Sequence, residues 1–178
     1  MVLRADDRVL VDAARAGDVD AFAVLVRRHQ AAVYRVALRV LGSEADAEDA
    51  VQDAFVLAWR GLARFRGDSL VSTWLYRIVT NRCLNVLAAR RPTQVLDWEA
   101  PSIDSDPAYV AEQRERFAAV ARTVAGLPGE QRVALVLREV EGLSYEQIAQ
   151  VLDLSLPAVK GRIHRARLNV LKEAAPWR

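Results

Sequence analysis

The chain has 178 residues, 52% of them hydrophobic, with 25 Lys and Arg facing 23 Asp and Glu. This composition suffices for one or two packed domains and excludes a disordered chain. The single cysteine, Cys83, excludes an internal disulfide and a cysteine-based zinc site.

Only 8 glycines and 6 prolines occur, while Ala, Val and Leu abound, so an all-α fold is expected. Residues 6–16 read as a short helix ended by Gly17. Asp18 caps a second helix running to about Leu41, with Phe22, Leu25, Val26, Val33, Val36, Ala37 and Val40 at helical spacing and Gly42 as its stop. Ser43 opens an acidic third helix. Its inner face is read as Ala47, Ala50, Val51, Ala54, Phe55, Ala58 and Trp59. Arg66-Gly67-Asp68-Ser69 is a loop, and a fourth helix runs from about Ser72 to Arg90, before Pro92.

Residues 92–107 have no helical period and are acidic, which reads as a tether. A helix from about Pro107 to Ala125 follows, with Phe117, Val120, Ala121 and Val124 inward. After the turn Gly126-Leu127-Pro128-Gly129 comes a helix over Glu130–Glu141. The expected organisation is two small helical domains, 2–91 and 108–175, joined by the flexible linker 92–107.

The C-terminal stretch carries the strongest local pattern. Ser144 with Gln147 three residues on is a capping box, and Ile148, Val151 and Leu152 share one face. Asp153-Leu154-Ser155 is a turn, and Ser155 with Pro157 starts another helix. That helix is basic, with Lys160, Arg162, Arg165 and Arg167, and its apolar side is read as Val159, Ile163 and Leu168. Within residues 160–178 only Glu173 opposes six basic side chains. A helix, a short turn and a basic helix form the helix-turn-helix pattern, whose second helix enters the DNA major groove.

Three further stretches extend this reading. They are Asp46-Ala-Glu-Asp49-Ala-Val-Gln52-Asp53-Ala-Phe55, then Phe65-Arg-Gly-Asp68-Ser69-Leu-Val-Ser-Thr-Trp74-Leu75-Tyr76-Arg77-Ile78, and Leu127-Pro128 with Leu137-Arg138-Glu139 and Gly142-Leu143-Ser144-Tyr145-Glu146-Gln147-Ile148-Ala149. Their order resembles the extracytoplasmic-function class of sigma factors of bacterial RNA polymerase, within the sigma-70 family, over about residues 5–172. The resemblance implies region 2 in the first domain and region 4 in the second. It implies that Asp46, Glu48, Asp49, Gln52 and Asp53 meet the coiled-coil of the polymerase's largest subunit, with the flap as a further contact. Arg66, Asp68, Ser69, Trp74, Arg77 and Asn81 would read the −10 element and stabilise its melted strand. Tyr145, Lys160, Gly161, Arg162, His164 and Arg165 would read the −35 element. Lys160 stands where Arg is common in the family, Gly161 where a small hydroxyl residue is usual, and His164 where an aromatic or apolar residue is frequent. The resemblance further implies promoter DNA and an anti-sigma factor as partners, the latter able to hold the protein at the membrane.

Two other classes compete on residues alone. An operator-binding regulator would use only the helix-turn-helix, with the first half as a dimerisation or ligand module. An enzyme on a helical bundle would need a nucleophile with a base, a phosphate loop or a Glu-x-x-His metal motif, and none is present, so neither catalysis nor a cofactor or metal is expected. Charges interrupt every apolar stretch before bilayer-span length, and the charged N-terminus does not read as a signal peptide, so a cytoplasmic protein without membrane insertion is expected.

Overall fold

The computed structural model describes residues 6–90 and 120–174, and there every regular element is helical. The tether 92–107, the helix start near Pro107 and Phe117 lie outside the described residues. Helix α1 spans Asp7–Arg15, α2 Val19–Leu41, α3 Glu44–Gly61 and α4 Val71–Ala89, with a 3₁₀ turn at Leu62–Arg64. In the second half, residues 120–126 form α5, followed by α6 Gly129–Glu139, α7 Tyr145–Leu152 and α8 Leu156–Ala174.

The helix ends follow local chemistry. The Asp18 carboxylate accepts from the Ala21 amide at 3.0 Å, and Ser43 accepts from Asp46 at 3.3 Å. Gly42 takes a left-handed φ of 67° and closes α2, a conformation that costs a side chain with Cβ. At α7 the capping box is complete: the Ser144 hydroxyl accepts from the Gln147 amide, and the Gln147 side chain accepts from the Ser144 amide.

Helix α2 is the central post, with α1, α3, α4 and α6 packed around it. Ala47, Ala50, Ala54 and Ala58 form a buried stripe on α3 whose small side chains let its backbone approach α2 and α4. Trp59, expected inside, is 39% exposed, and its ring meets Phe22 edge-on at 4.9 Å on the rim of the bundle. Val120 is likewise exposed, whereas Ala121 beside it is buried.

One buried apolar cluster runs from Leu10 in α1 to Ile163 in α8, so the described parts of the two halves share a core. Arg132 fastens this joint. Its guanidinium is buried and donates to the carbonyls of Val40 at 2.8 Å, Leu127 at 3.1 Å and Ala125. Burial, with Arg90 nearby, presses its pKa down to about 10, which still leaves it protonated at neutral pH. Arg90 donates to the Leu41 carbonyl at 2.8 Å. Two cations thus meet the last carbonyls of α2, at the negative end of its dipole.

Candidate nucleic-acid interface

Helix α8 presents its basic face outward. Lys160, His164 and Arg165 are exposed, while Val159, Ile163 and Ala166 are buried. Leu168, expected on the apolar side, is 43% exposed. At about 100° per residue it lies roughly 900°, or half a turn, from Val159, whereas Ala166 returns to within about 20° of it. Gly161 lies beneath the Arg165 guanidinium, which a Cβ there would meet at 3.4 Å. Arg162 turns toward α6 and pairs with Glu130 at 2.8 Å, so it is not among the open cations.

Tyr145 stands at the start of α7 between cations. The Arg138 guanidinium carbon lies 4.9 Å from its ring centroid and the Lys160 ammonium 5.9 Å. Arg138 also donates to the Leu143 carbonyl at 2.7 Å, tying the turn before α7 to α6. Its spacing marks Arg138 as an ordinary last-turn cation, and only the fold brings it over Tyr145. Glu146 has its pKa lowered, first by a backbone hydrogen bond and then by the Ser144 side chain, with smaller contributions from Lys160 and Arg138.

The second face is built by α4 and the loop before it. Arg77 and Asn81 are both exposed, one helical turn apart, as their spacing requires. Trp74 is half-buried, with its ring 4.7 Å from Phe65. Gly61 lies against it, where an added Cβ would make an ordinary contact with the indole at 3.5 Å. An open cleft of about 390 Å³ is lined by Phe65, Trp74, Ile78, Asn81, Arg82 and Asn85, among others. Arg66, Asp68 and Ser69 do not line it. Asp68 and Ser69 border a separate hollow of about 690 Å³ that also holds Asp6 and Asp7.

Helix α3 shows a divided acidic face. Asp46 pairs with Arg90, and Asp53 pairs with Arg82 at 2.8 Å. Glu48, Asp49 and Gln52 are exposed, with Val56 at 44% exposure one turn beyond Gln52. An exposed valine in an acidic helix was a signal available in the sequence. A groove of about 780 Å³, mostly apolar, runs along α5, α6 and α8 past Val124, Leu135, Val140, Val170 and Leu171.

Comparison with known proteins agrees with this arrangement. The Sigma-70 region 2 family matches residues 25–93, and the Sigma-70 region 4 family matches residues 117–170. The ECF RNA polymerase sigma-E factor of Escherichia coli K12 is 40% identical over 96% of this chain and 95% of its own length. The RNA polymerase sigma-H factor of Pseudomonas aeruginosa is 39% identical over 99% and 97%. Among solved structures, CnrH in complex with the cytosolic domain of CnrY superposes with a TM-score of 0.71 at 34% identity, covering 93% of this chain and 95% of that one. Among the described residues no helix is long and apolar enough to cross a membrane. The chain belongs to the extracytoplasmic-function sigma factors of the sigma-70 family, DNA-binding factors that act in transcription initiation.

Proposed function

We propose that this protein is a promoter-specificity subunit whose two domains, 2–91 and 108–175 across the linker 92–107, read two separate promoter elements on core RNA polymerase. The observation that carries this reading is the cleft beside Asn81. An aromatic floor of Phe65 and Trp74, with the amides of Asn81 and Asn85 at its edge, suits one base rotated out of a strand. Its volume is in the range of small-ligand pockets. An operator-binding helix-turn-helix protein has no use for such a site.

In this reading the non-template strand of the −10 element lies along α4. Asn81 hydrogen-bonds a base edge, Trp74 supplies the stacking surface, and Arg77 holds phosphate. Arg66, Asp68 and Ser69 shape the loop beside the strand. The separate hollow bordered by Asp68 and Ser69 mixes Asp6, Asp7 and Asp68 with Arg8 and Arg28 and lacks the stacked pair of Phe65 and Trp74, so the base is assigned to the cleft with Asn81. Energy recovered by stacking and edge contacts offsets the few kcal/mol needed to extrude a base, which is how binding here favours melting.

Helix α8 enters the −35 major groove with Lys160, His164 and Arg165. Gly161 allows close approach, while Tyr145 and Arg162 flank the phosphates. Helix α3 docks on the coiled-coil of the polymerase's largest subunit through Glu48, Asp49 and Gln52, with Val56 as an apolar anchor. Asp46 and Asp53 hold α3 in place through their arginine partners. The groove along α6 and α8 receives the flap. An anti-sigma protein controls access, as a partner domain is bound to the related CnrH.

The test is in vitro transcription with purified core polymerase on fragmented genomic DNA, with the 5′ ends sequenced. The expected result is discrete starts preceded by shared −35 and −10 elements, with Asn81→Ala weakening them about ten-fold or more, as loss of a two-point base contact implies. Active core giving no specific starts, while the protein still binds duplex DNA, would favour the operator-binding reading.

A further inference from the structure

Lys160 is the one lysine among the side chains proposed for the −35 element, and it specifies a base by different means from Arg165. A guanidinium carries its own geometry, a planar fork that matches the two acceptors on a guanine edge. An ammonium is a point charge on a flexible four-carbon stem and carries none. Base preference through Lys160 therefore needs a support outside its own side chain.

The fold supplies one. Tyr145, the first residue of α7, is half-buried, and the Lys160 ammonium of α8 lies 5.9 Å from its ring centroid, within cation–π range. The ring is itself held. It packs against the shared apolar core, and Arg138 of α6 lies over it at 4.9 Å, anchored in turn by a bond to the Leu143 carbonyl at 2.7 Å. The Tyr145 hydroxyl is turned toward Arg167 of α8, whose pKa is raised first by its bond to Glu139 and in smaller part by this hydroxyl. Glu146, next in the chain, adds negative charge near both ring cations. Its pKa is lowered first by a backbone hydrogen bond and by Ser144, then by Lys160 and Arg138. Arg165 lies over Gly161 instead, where an added Cβ would meet its guanidinium at 3.4 Å.

We infer that Tyr145 is the positioning residue of Lys160, and that its ring, not its hydroxyl, lets this lysine select one base pair of the −35 element. The inference rests on the proposed docking of α8 at −35 and adds to it how a point charge becomes selective. With the ring present, the ammonium keeps one place on the groove face of the helix and meets the acceptors of one base edge. Without the ring, the stem swings among the phosphates on either side, and its attraction loses its dependence on sequence.

Two measurements on the full chain test this. The first is NMR of the free protein carrying ¹³C-labelled lysine. The chain has only two lysines, so Lys172, on the exposed last turn of α8, serves as the reference. The Lys160 ε-methylene should show a ring-current displacement that Tyr145→Phe preserves and Tyr145→Leu abolishes. The second is transcription with core polymerase from a promoter library randomised across the −35 element, with transcripts counted by barcode. Lys160→Ala identifies the base pair that Lys160 reads, as the position whose preference it flattens. Tyr145→Leu should weaken the preference at that same position roughly two- to five-fold, the size of an exposed cation–π contact, and leave the other positions as they are. Tyr145→Phe should keep the preference, whatever loss of the hydroxyl does to total output. A misfolded α7 would lower output from every sequence alike and cannot imitate that pattern.

A preference retained in Tyr145→Leu, or lost equally in Tyr145→Phe, would overturn the inference. If the displacement is present but Lys160→Ala flattens no position, the −35 assignment of Lys160 has failed and the inference falls with it. If the displacement is absent, the ring contact itself has failed, whatever the library shows.

Discussion

The two faces assigned to DNA differ in how the free chain presents them. On α8 the reading residues Lys160, His164 and Arg165 point to solvent, and the helix is held by a buried row on its other side, Val159, Ile163 and Ala166. On α4 the residues proposed for the −10 element differ among themselves: Asn81 is exposed beside an open cleft, Trp74 is half-buried, and Arg77 lies 3.4 Å from Asp153 of the second half. The first proposed reader faces solvent, and the second touches the other half of the chain at Arg77. The comparison teaches that two side chains one helical turn apart, Arg77 and Asn81, can share a face and still differ in what they touch within the chain.

The largest effect is expected at the joint. Arg132→Met leaves the carbonyls of Val40, Ala125 and Leu127 without their buried donor and should cost about 3 kcal/mol or more. Urea unfolding followed by circular dichroism measures this, and a split into two transitions would show that the joint had made the halves one cooperative unit. A smaller change sharpens the contrast between the readers. Lys160→Arg offers a two-pronged contact to guanine in place of a point charge and should shift −35 preference by about 1–3 kcal/mol at one base pair. Because α8 is open, that shift should appear in duplex selection with the free protein as well as with polymerase.

Next comes the first helix of the helix-turn-helix. Ser144→Ala removes one half of a complete capping box and should cost about 1 kcal/mol, seen as faster amide hydrogen exchange across residues 145–152. The smallest expected effect is a gain. Gly161→Ala should stabilise α8 by about 0.8 kcal/mol, because the new Cβ meets only the movable end of Arg165, at 3.4 Å. A rise in Tm with altered −35 preference would show that Arg165 had been positioned by the missing side chain.

Much of this architecture was open to sequence reasoning because its causes are local. Asp18, Gly42, Ser43 and the Ser144–Gln147 pair act within a few residues of the helix ends they define, and each does what its chemistry dictates. Arg77 and Asn81 also project together for a local reason. The failures are non-local or geometric. Arg132 sits at the head of the apolar run Val133 to Leu137 and reads as a surface cation, yet its partners include a carbonyl at the end of α2. Glu141 reads as one more acid before a glycine, yet Arg35 and Tyr76 both donate to it, and nothing near it in the chain announces either. Leu168 falls outside the apolar side because helical phase outranks hydrophobicity there: the small Ala166 keeps the period and the leucine does not. Within the candidate sites, residue types were legible but not their engagement. Asp46, Asp53 and Arg162 look equivalent to their neighbours in sequence, and the fold pairs them internally.

The most direct test of the account is photo-crosslinking from positions 81 and 164 within one promoter complex assembled with core polymerase. A probe replacing Asn81 should attach to the non-template strand of the −10 element, while one replacing His164 should attach to duplex DNA at −35. Position 81 silent with position 164 attached, or both probes on one duplex site, would contradict it.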